Sequence, residues 1–231
     1  MKKKLTVRIA LLIVCALSIN TTFAQDVRQK PVIKKQTTTT TKKQNPASTK
    51  QADQATNHKW NYVGDYHEGL AAVADDNWKF GFIDKTGKLV IPCQWKFAYS
   101  FHEGQAAVKD ANGKWGFIDK TGQVVIPCQW NSAGDFHEGL AWVKDDNDKW
   151  GFIDKTGKVV IPCKWNMAWR FSEDLALVRD ANWKYGFIDK TGRLVIPCQW
   201  KDAWSFSEGL ARVQDANDKW FKIDKTGKVV E

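Results

Sequence analysis

The chain has 231 residues, 26% of them charged and 43% hydrophobic, with a formal net charge of +9. That charge is unevenly placed: residues 1–24 carry +4 and residues 25–58 carry +5, which leaves residues 59–231 net zero. A folded nucleic-acid-binding domain needs a basic face, so this balance argues against nucleic acid as a partner, while 173 residues suffice for one substantial core.

Residues 1–24 read as a secretory signal peptide. Lys2, Lys3, Lys4 and Arg8 form a basic start, Ile9–Ile19 an apolar run, and Thr22-Phe23-Ala24 a small-x-small site. Cleavage is expected before Gln25. The apolar run is shorter than the roughly 20 residues of a membrane span, and no later segment is apolar enough to be one. Cys15 follows Val14 rather than a small residue, which argues against lipidation. Residues 25–58 are rich in Thr, Lys and Gln, with Thr37–Thr41 unbroken. So few apolar groups cannot offset the entropy of ordering, and a disordered basic linker is expected.

From residue 59 a unit recurs five times at a step of 35 residues. Its lead aromatic is Phe80, Trp115, Trp150, Tyr185 and Trp220. Trp60, Trp95, Trp130, Trp165 and Trp200 keep the same step, as do Cys93, Cys128, Cys163 and Cys198. A fixed period of about 20–50 residues marks a repeat architecture. The repeats run over about 60–94, 95–129, 130–164, 165–199 and 200–231.

The fullest copy runs from Lys149-Trp150-Gly151-Phe152-Ile153-Asp154-Lys155-Thr156-Gly157 to Lys158-Val159-Val160-Ile161-Pro162-Cys163. A segment of the type Phe-x-Glu-Gly-Leu-Ala precedes it. This unit resembles the bacterial WG-repeat (KWG) family over about residues 59–231. The resemblance implies a β-rich repeat and, in many members, an exported or surface setting. It implies little about activity and supplies no catalytic residue. Phe80 and Tyr185 stand where Trp is usual, and Phe221 replaces the glycine.

Read as physics, one repeat is a β-meander. Gly139–Val143 alternates as a first strand. Asp145-Asp146-Asn147-Asp148 is a turn of Asx residues. Lys149–Asp154 is a second strand. Lys155-Thr156-Gly157 is a tight turn in which Gly157 takes a positive φ. Lys158–Trp165 is a third strand, with Pro162 at an edge, a bulge or the end of pairing. The connecting segment supplies a short fourth strand. Side-chain period two puts Val159, Ile161, Cys163 and Trp165 on one side. Ala141 and Val143 and their equivalents never vary, which marks them as packing positions between like neighbours.

The fold class expected is therefore all-β: five tandem meanders, as a propeller-like ring or an open, solenoid-like stack. The ring is slightly favoured, because His58-Lys59-Trp60 aligns with what repeat five lacks after Lys228-Val229-Val230. No polar end caps of the kind an open stack needs stand out.

Eight of the 13 tryptophans hold repeated positions and read as core. The other five, Trp78, Trp142, Trp169, Trp183 and Trp204, break the pattern. With Tyr99 and Arg170 they are the candidate ligand-binding residues, because amphipathic aromatics anchor binding surfaces. The cysteines show no close pairs of the zinc type, and buried free thiols fit their face best. His67, His102 and His137 each precede a glutamate (Glu68, Glu103, Glu138) and recur by unit, unlike the asymmetric set a catalytic site uses. They are expected exposed, with the Glu a turn partner. Asp145, Asp146 and Asp148 lack the Gly and distal Glu of a calcium loop. No metal, cofactor or catalytic residue is expected. The expected function is an exported, non-enzymatic binding or scaffolding module for a protein or an envelope glycan, located in the periplasm, on the cell surface or outside the cell. An envelope-polymer hydrolase and a purely structural spacer are the alternatives.

Overall fold

A computed structural model describes residues 60–230. The signal segment and the linker read from the sequence lie outside the described residues, as do His58 and Lys59. Among the described residues there are strands and turns only, and no helix is long and apolar enough to cross a membrane.

The strands form five antiparallel sheets in tandem. Sheet I holds β1 (Tyr62–His67), β2 (Leu70–Ala74), β3 (Phe80–Asp84) and β4 (Leu89–Trp95). Sheet II holds β5 (Phe97–Ala98), β6 (Gln105–Lys109), β7 (Trp115–Asp119) and β8 (Val124–Trp130). Sheet III holds β9 (Ser132–Ala133), β10 (Leu140–Lys144), β11 (Trp150–Asp154) and β12 (Val159–Trp165). Sheet IV holds β13 (Met167–Ser172), β14 (Leu175–Arg179), β15 (Tyr185–Ile188) and β16 (Leu194–Trp200). Sheet V holds β17 (Asp202–Ala203), β18 (Leu210–Gln214) and β19 (Trp220–Asp224). Each sheet is a meander in chain order with its first strand at one edge; that strand has two residues in sheets II, III and V and six in sheets I and IV.

Aspartates set both hairpins. In sheet III the Asp154 carboxylate accepts hydrogen bonds from the Thr156 hydroxyl (2.6 Å), the Thr156 amide (2.9 Å) and the Lys158 amide (3.1 Å). Gly157 closes the turn at φ +85°. Asp84, Asp119, Asp189 and Asp224 repeat the arrangement. The Thr hydroxyl foremost, with the turn amides, holds these carboxyls below their usual range. Asp145 accepts from the Asn147 and Lys149 amides in the other turn.

The sheets pack face on face through apolar side chains. The forward face of sheet II (Ala107, Phe117, Ile126) meets the rear face of sheet III (Ala141, Val143, Ile153). The same contact joins I to II, III to IV and IV to V. A Phe pair spans every junction: Phe82–Phe101, Phe117–Phe136, Phe152–Phe171 and Phe187–Phe206, all with centroids 4.8–4.9 Å apart. The unvarying Ala and Val of the first long strand are 0–1% exposed, as packing positions should be.

Period two fails in the third long strand. Register shifts flank the pairing of Phe152 with Ile161, and the bulge contains Pro162. Ile161 and Trp165 face forward, whereas Cys163 turns back into the cluster shared with sheet II. Val159 is exposed. The bulge explains the glycine of the motif: a Cβ on Gly151 would sit 2.5 Å from the Ile161 carbonyl oxygen and 2.7 Å from the Cys163 amide. In sheet V the residues opposite form only an isolated bridge, Ile223 with Val229. Among the described residues no bulge stands over position 221, and Phe221 is half-buried in the cluster between sheets IV and V. The four thiols are free and half-buried; burial pushes Cys128, Cys163 and Cys198 up to about 11.

Among the described residues the sheets do not close into a ring. Among the described residues no strand pairing and no apolar cluster joins sheet V to sheet I. Trp60 instead packs on the rear of sheet I, beside Ala71, Val73 and Ile83. The forward face of sheet V carries Arg212 and Lys222 where other sheets carry Ala, Trp or Leu and Phe, so a polar cap is present after all.

Candidate functional site

The stretch before the first long strand of each sheet, which is part of β1 in sheet I and of β13 in sheet IV, supplies three side-by-side columns. One is Gly64, Tyr99, Gly134, Trp169 and Trp204; the next is Asp65, Ser100, Asp135, Arg170 and Ser205; the third is His67, His102, His137, Ser172 and Ser207. Stacking of the sheets aligns these columns, because each turn is stapled to the next. Glu103 accepts the Gly139 amide at 3.1 Å and pairs with Lys155 at 3.1 Å. Glu68, Glu138 and Glu173 do the same one sheet along. The invariant Glu is thus a turn partner of the following repeat rather than of its own.

Aligned columns create a cleft of about 610 Å³ across sheets II to V. Tyr99, Trp142, Trp169 and Arg170 of the sequence candidates line it, together with Asp135 and His137. Trp204 lines a second hollow of about 320 Å³, which shares Trp169 with the first. Trp78 and Trp183 stand elsewhere, at hairpin tips with φ +54° and +62°, and are 60% and 62% exposed. The Arg179 guanidinium lies 4.2 Å over the Trp183 ring. The five out-of-pattern tryptophans therefore do not form one patch.

The cleft aromatics rest on the lead aromatic of each sheet. Tyr99 stacks on Trp115 at 5.0 Å and 13°. Trp169 meets Tyr185 at 6.0 Å, and Trp204 meets Trp220 at 6.1 Å. Sheet III reaches the same arrangement by another route. Its edge residue is Gly134, and the Trp142 indole from β10 lies over it, where a Cβ on Gly134 would overlap Cε2 and Nε1. Trp142 then meets Trp150 at 4.7 Å.

The polar end of the cleft is a cluster of opposite charges and imidazoles. His67, His102 and His137 form a half-buried row with ring centroids 5.0 and 5.3 Å apart, not the exposed set expected from the sequence. Asp135 Oδ2 lies 3.8 Å from His102 Nε2, and its buried Oδ1 accepts no hydrogen bond from the protein. Burial raises the Asp135 carboxyl above its ordinary range, against the pull of His102, Arg170 and His67. Burial, with Arg170, lowers His137. Arg170 Nη1 lies 3.5 Å from His137 Nε2. Among the described residues no group of three or more His, Cys, Asp or Glu could hold a metal. Asp135 and Ser205 escaped the sequence reading, which noted His137 only as an exposed, recurring position. Their signal was there in the Arg170 column, which changes chemistry from repeat to repeat.

A model of the WG containing repeat matches residues 80–115, 115–150, 150–182 and 185–220, more than half of the chain. No functionally curated protein matches the sequence. The backbone is similar to the computationally designed Ika8 protein, at TM-score 0.49 and 10% identity over 73% of this chain and 60% of that one. It is also similar to BamB from Moraxella catarrhalis (TM-score 0.43, 11% identity, 72% and 58% covered) and to the WD40 β-propeller domain of Doa1 (0.40, 12%, 76% and 68%). The chain spans about three fifths of the length of the first two.

Proposed function

The chain belongs to the WG-containing-repeat family, and we propose that it is an exported, non-enzymatic binding module that holds an envelope glycan in the cleft. The observation that carries this is the wall of Tyr99, Trp142 and Trp169 facing Asp135, Arg170 and His137 in one cavity. Its volume falls in the usual range of ligand sites, about 300–1,000 Å³. Flat rings with polar edges stack on the C–H faces of sugars, and the polar groups take hydroxyls. Glycoside hydrolysis needs a pair of carboxylates; among the described residues lining this cleft Asp135 is the one carboxylate, which supports binding without turnover. Export rests on the basic-apolar start of the chain, and the basic linker that follows suits a tether. A protein ligand is the second reading, favoured by the exposed indoles of Trp78 and Trp183.

The test is co-sedimentation of the full chain with purified peptidoglycan and insoluble polysaccharides. Wild-type protein is expected in the pellet, and Trp169→Ala is expected to weaken binding about tenfold or more, as loss of an aromatic anchor does. Absence of binding to every polymer, or equal binding by the variant, refutes the proposal.

A further inference from the structure

An aromatic plate recurs at one register in every sheet, and the chain builds it from three different columns. Tyr99, Trp169 and Trp204 come from the edge column. Where that column holds glycine, another ring lies over it: Trp142 over Gly134, and Tyr62 over Gly64 with its Oη 3.1 Å from a Cβ placed there. Tyr62 in turn meets Phe80 at 5.8 Å. The residue changes and the plate stays. Interior packing does not demand this, since Tyr99 remains 38%, Trp169 37% and Trp204 56% exposed, and large exposed rings are unfavourable without a partner.

The plates are also connected. The main cleft holds Tyr99, Trp142 and Trp169, and the second hollow runs on from Trp169 to Trp204. Each edge position is followed by a hydrogen-bonding residue: Ser100 after Tyr99, Asp135 after Gly134, Arg170 after Trp169 and Ser205 after Trp204. The repeating unit is thus one ring to stack on and one polar group beside it, from sheet II to sheet V.

We propose that the ligand is a linear glycan chain lying across sheets II to V, with one plate per sheet, rather than a single sugar or a short terminus. This rests on the glycan-binding reading above and adds the length and direction of the ligand. A polymer of like units matches a protein of like units, and a longer chain reaches more plates.

Calorimetry of the full chain with N-acetylglucosamine oligomers of two to six units tests it. Affinity is expected to rise at least about tenfold from dimer to hexamer, the worth of one further good contact of roughly 1.4 kcal/mol. Trp204→Ala is expected to weaken the hexamer about tenfold, and Trp169→Ala to weaken hexamer and dimer alike. Near-ultraviolet circular dichroism shows that each variant is folded. Equal affinity for dimer and hexamer, or a hexamer indifferent to Trp204→Ala, overturns the extended track and leaves a single-site glycan binder. Failure of every oligomer to bind overturns both the track and the glycan reading.

Discussion

Gly151→Ala tests the account of why the motif carries a glycine. The new methyl would meet the Ile161 carbonyl oxygen at 2.5 Å, the Cys163 amide at 2.7 Å and the Cys163 sulfur at 2.8 Å. Two of these are backbone atoms in a bulged strand, so no rotamer change relieves them. Overpacking of this kind costs about 3 kcal/mol, which lowers Tm by about 6–12 °C in a domain of this size. Gly139→Ala is the control. Gly139 has φ +84° and nothing within 4 Å of an added Cβ, so only the left-handed backbone is penalised, by about 1–2 kcal/mol. Thermal unfolding of the full chain, followed by far-ultraviolet circular dichroism, ranks the variants. If Gly151→Ala unfolds with wild-type protein, or above Gly139→Ala, then the bulge does not dictate the glycine.

Gly134→Tyr alone should clash with the Trp142 indole, and Trp142→Ala in the same chain should relieve it, giving a double-mutant coupling above about 1 kcal/mol in urea unfolding; additive losses would contradict the exchange of one plate for another. Glu103→Gln should remove roughly 0.5–1 kcal/mol. Partial burial raises the Glu103 carboxyl, but Lys155 and the Gly139 amide outweigh it, so the folded-state value is lowered. Its contribution is therefore present above the ordinary carboxylate range and lost as pH falls through the lowered value, and acid titration of the two proteins should converge there. Asp135 has the opposite sign. Its folded-state value is raised, chiefly by burial, so its ionisation opposes folding, and the penalty sets in as pH rises past the ordinary carboxylate range. Asp135→Asn should raise Tm at pH 7, lose that gain as the pH is lowered, and weaken oligosaccharide binding; a fall in Tm at pH 7 would refute the assigned sign.

The period of 35 residues, the turn aspartates and the unvarying Ala and Val made the strands and their packing faces legible, because each is a local pattern repeated by neighbours that must fit alike. The face of Cys163 was not legible. A bulge moves one residue out of register, and period-two reasoning assumes that none is present. Trp142 was visible as an exception, but its meaning lay in the coincidence with Gly134, eight positions earlier and just past the end of the adjacent strand β9. The histidine row was visible as a recurrence and was discounted for recurring. Stacking of the sheets brings its members within about ring contact, and the column beside it supplies Asp135 and Arg170 from different repeats. A repeat protein can thus build an asymmetric site from a symmetric position when one column is free to vary.

The same columns explain why the sheets do not close on themselves. Every junction between sheets is built on a Phe from the forward face of one sheet and a Phe from the stretch before the first long strand of the next. Closure would need those two positions in sheets V and I. The first is Lys222 and the second is Tyr66. Tyr66 is 44% exposed and donates its hydroxyl to the Asp84 carbonyl at 3.1 Å within its own sheet. Burying a lysine ammonium in place of Phe would carry a desolvation cost that no aromatic pair of about 0.5–1.5 kcal/mol could offset. Both outer faces of the array are therefore polar at the one position where every inner face is aromatic. The complementarity of the chain ends in strand content, which favoured a ring, is not matched by the chemistry of the faces, among the described residues, that a ring would have to join.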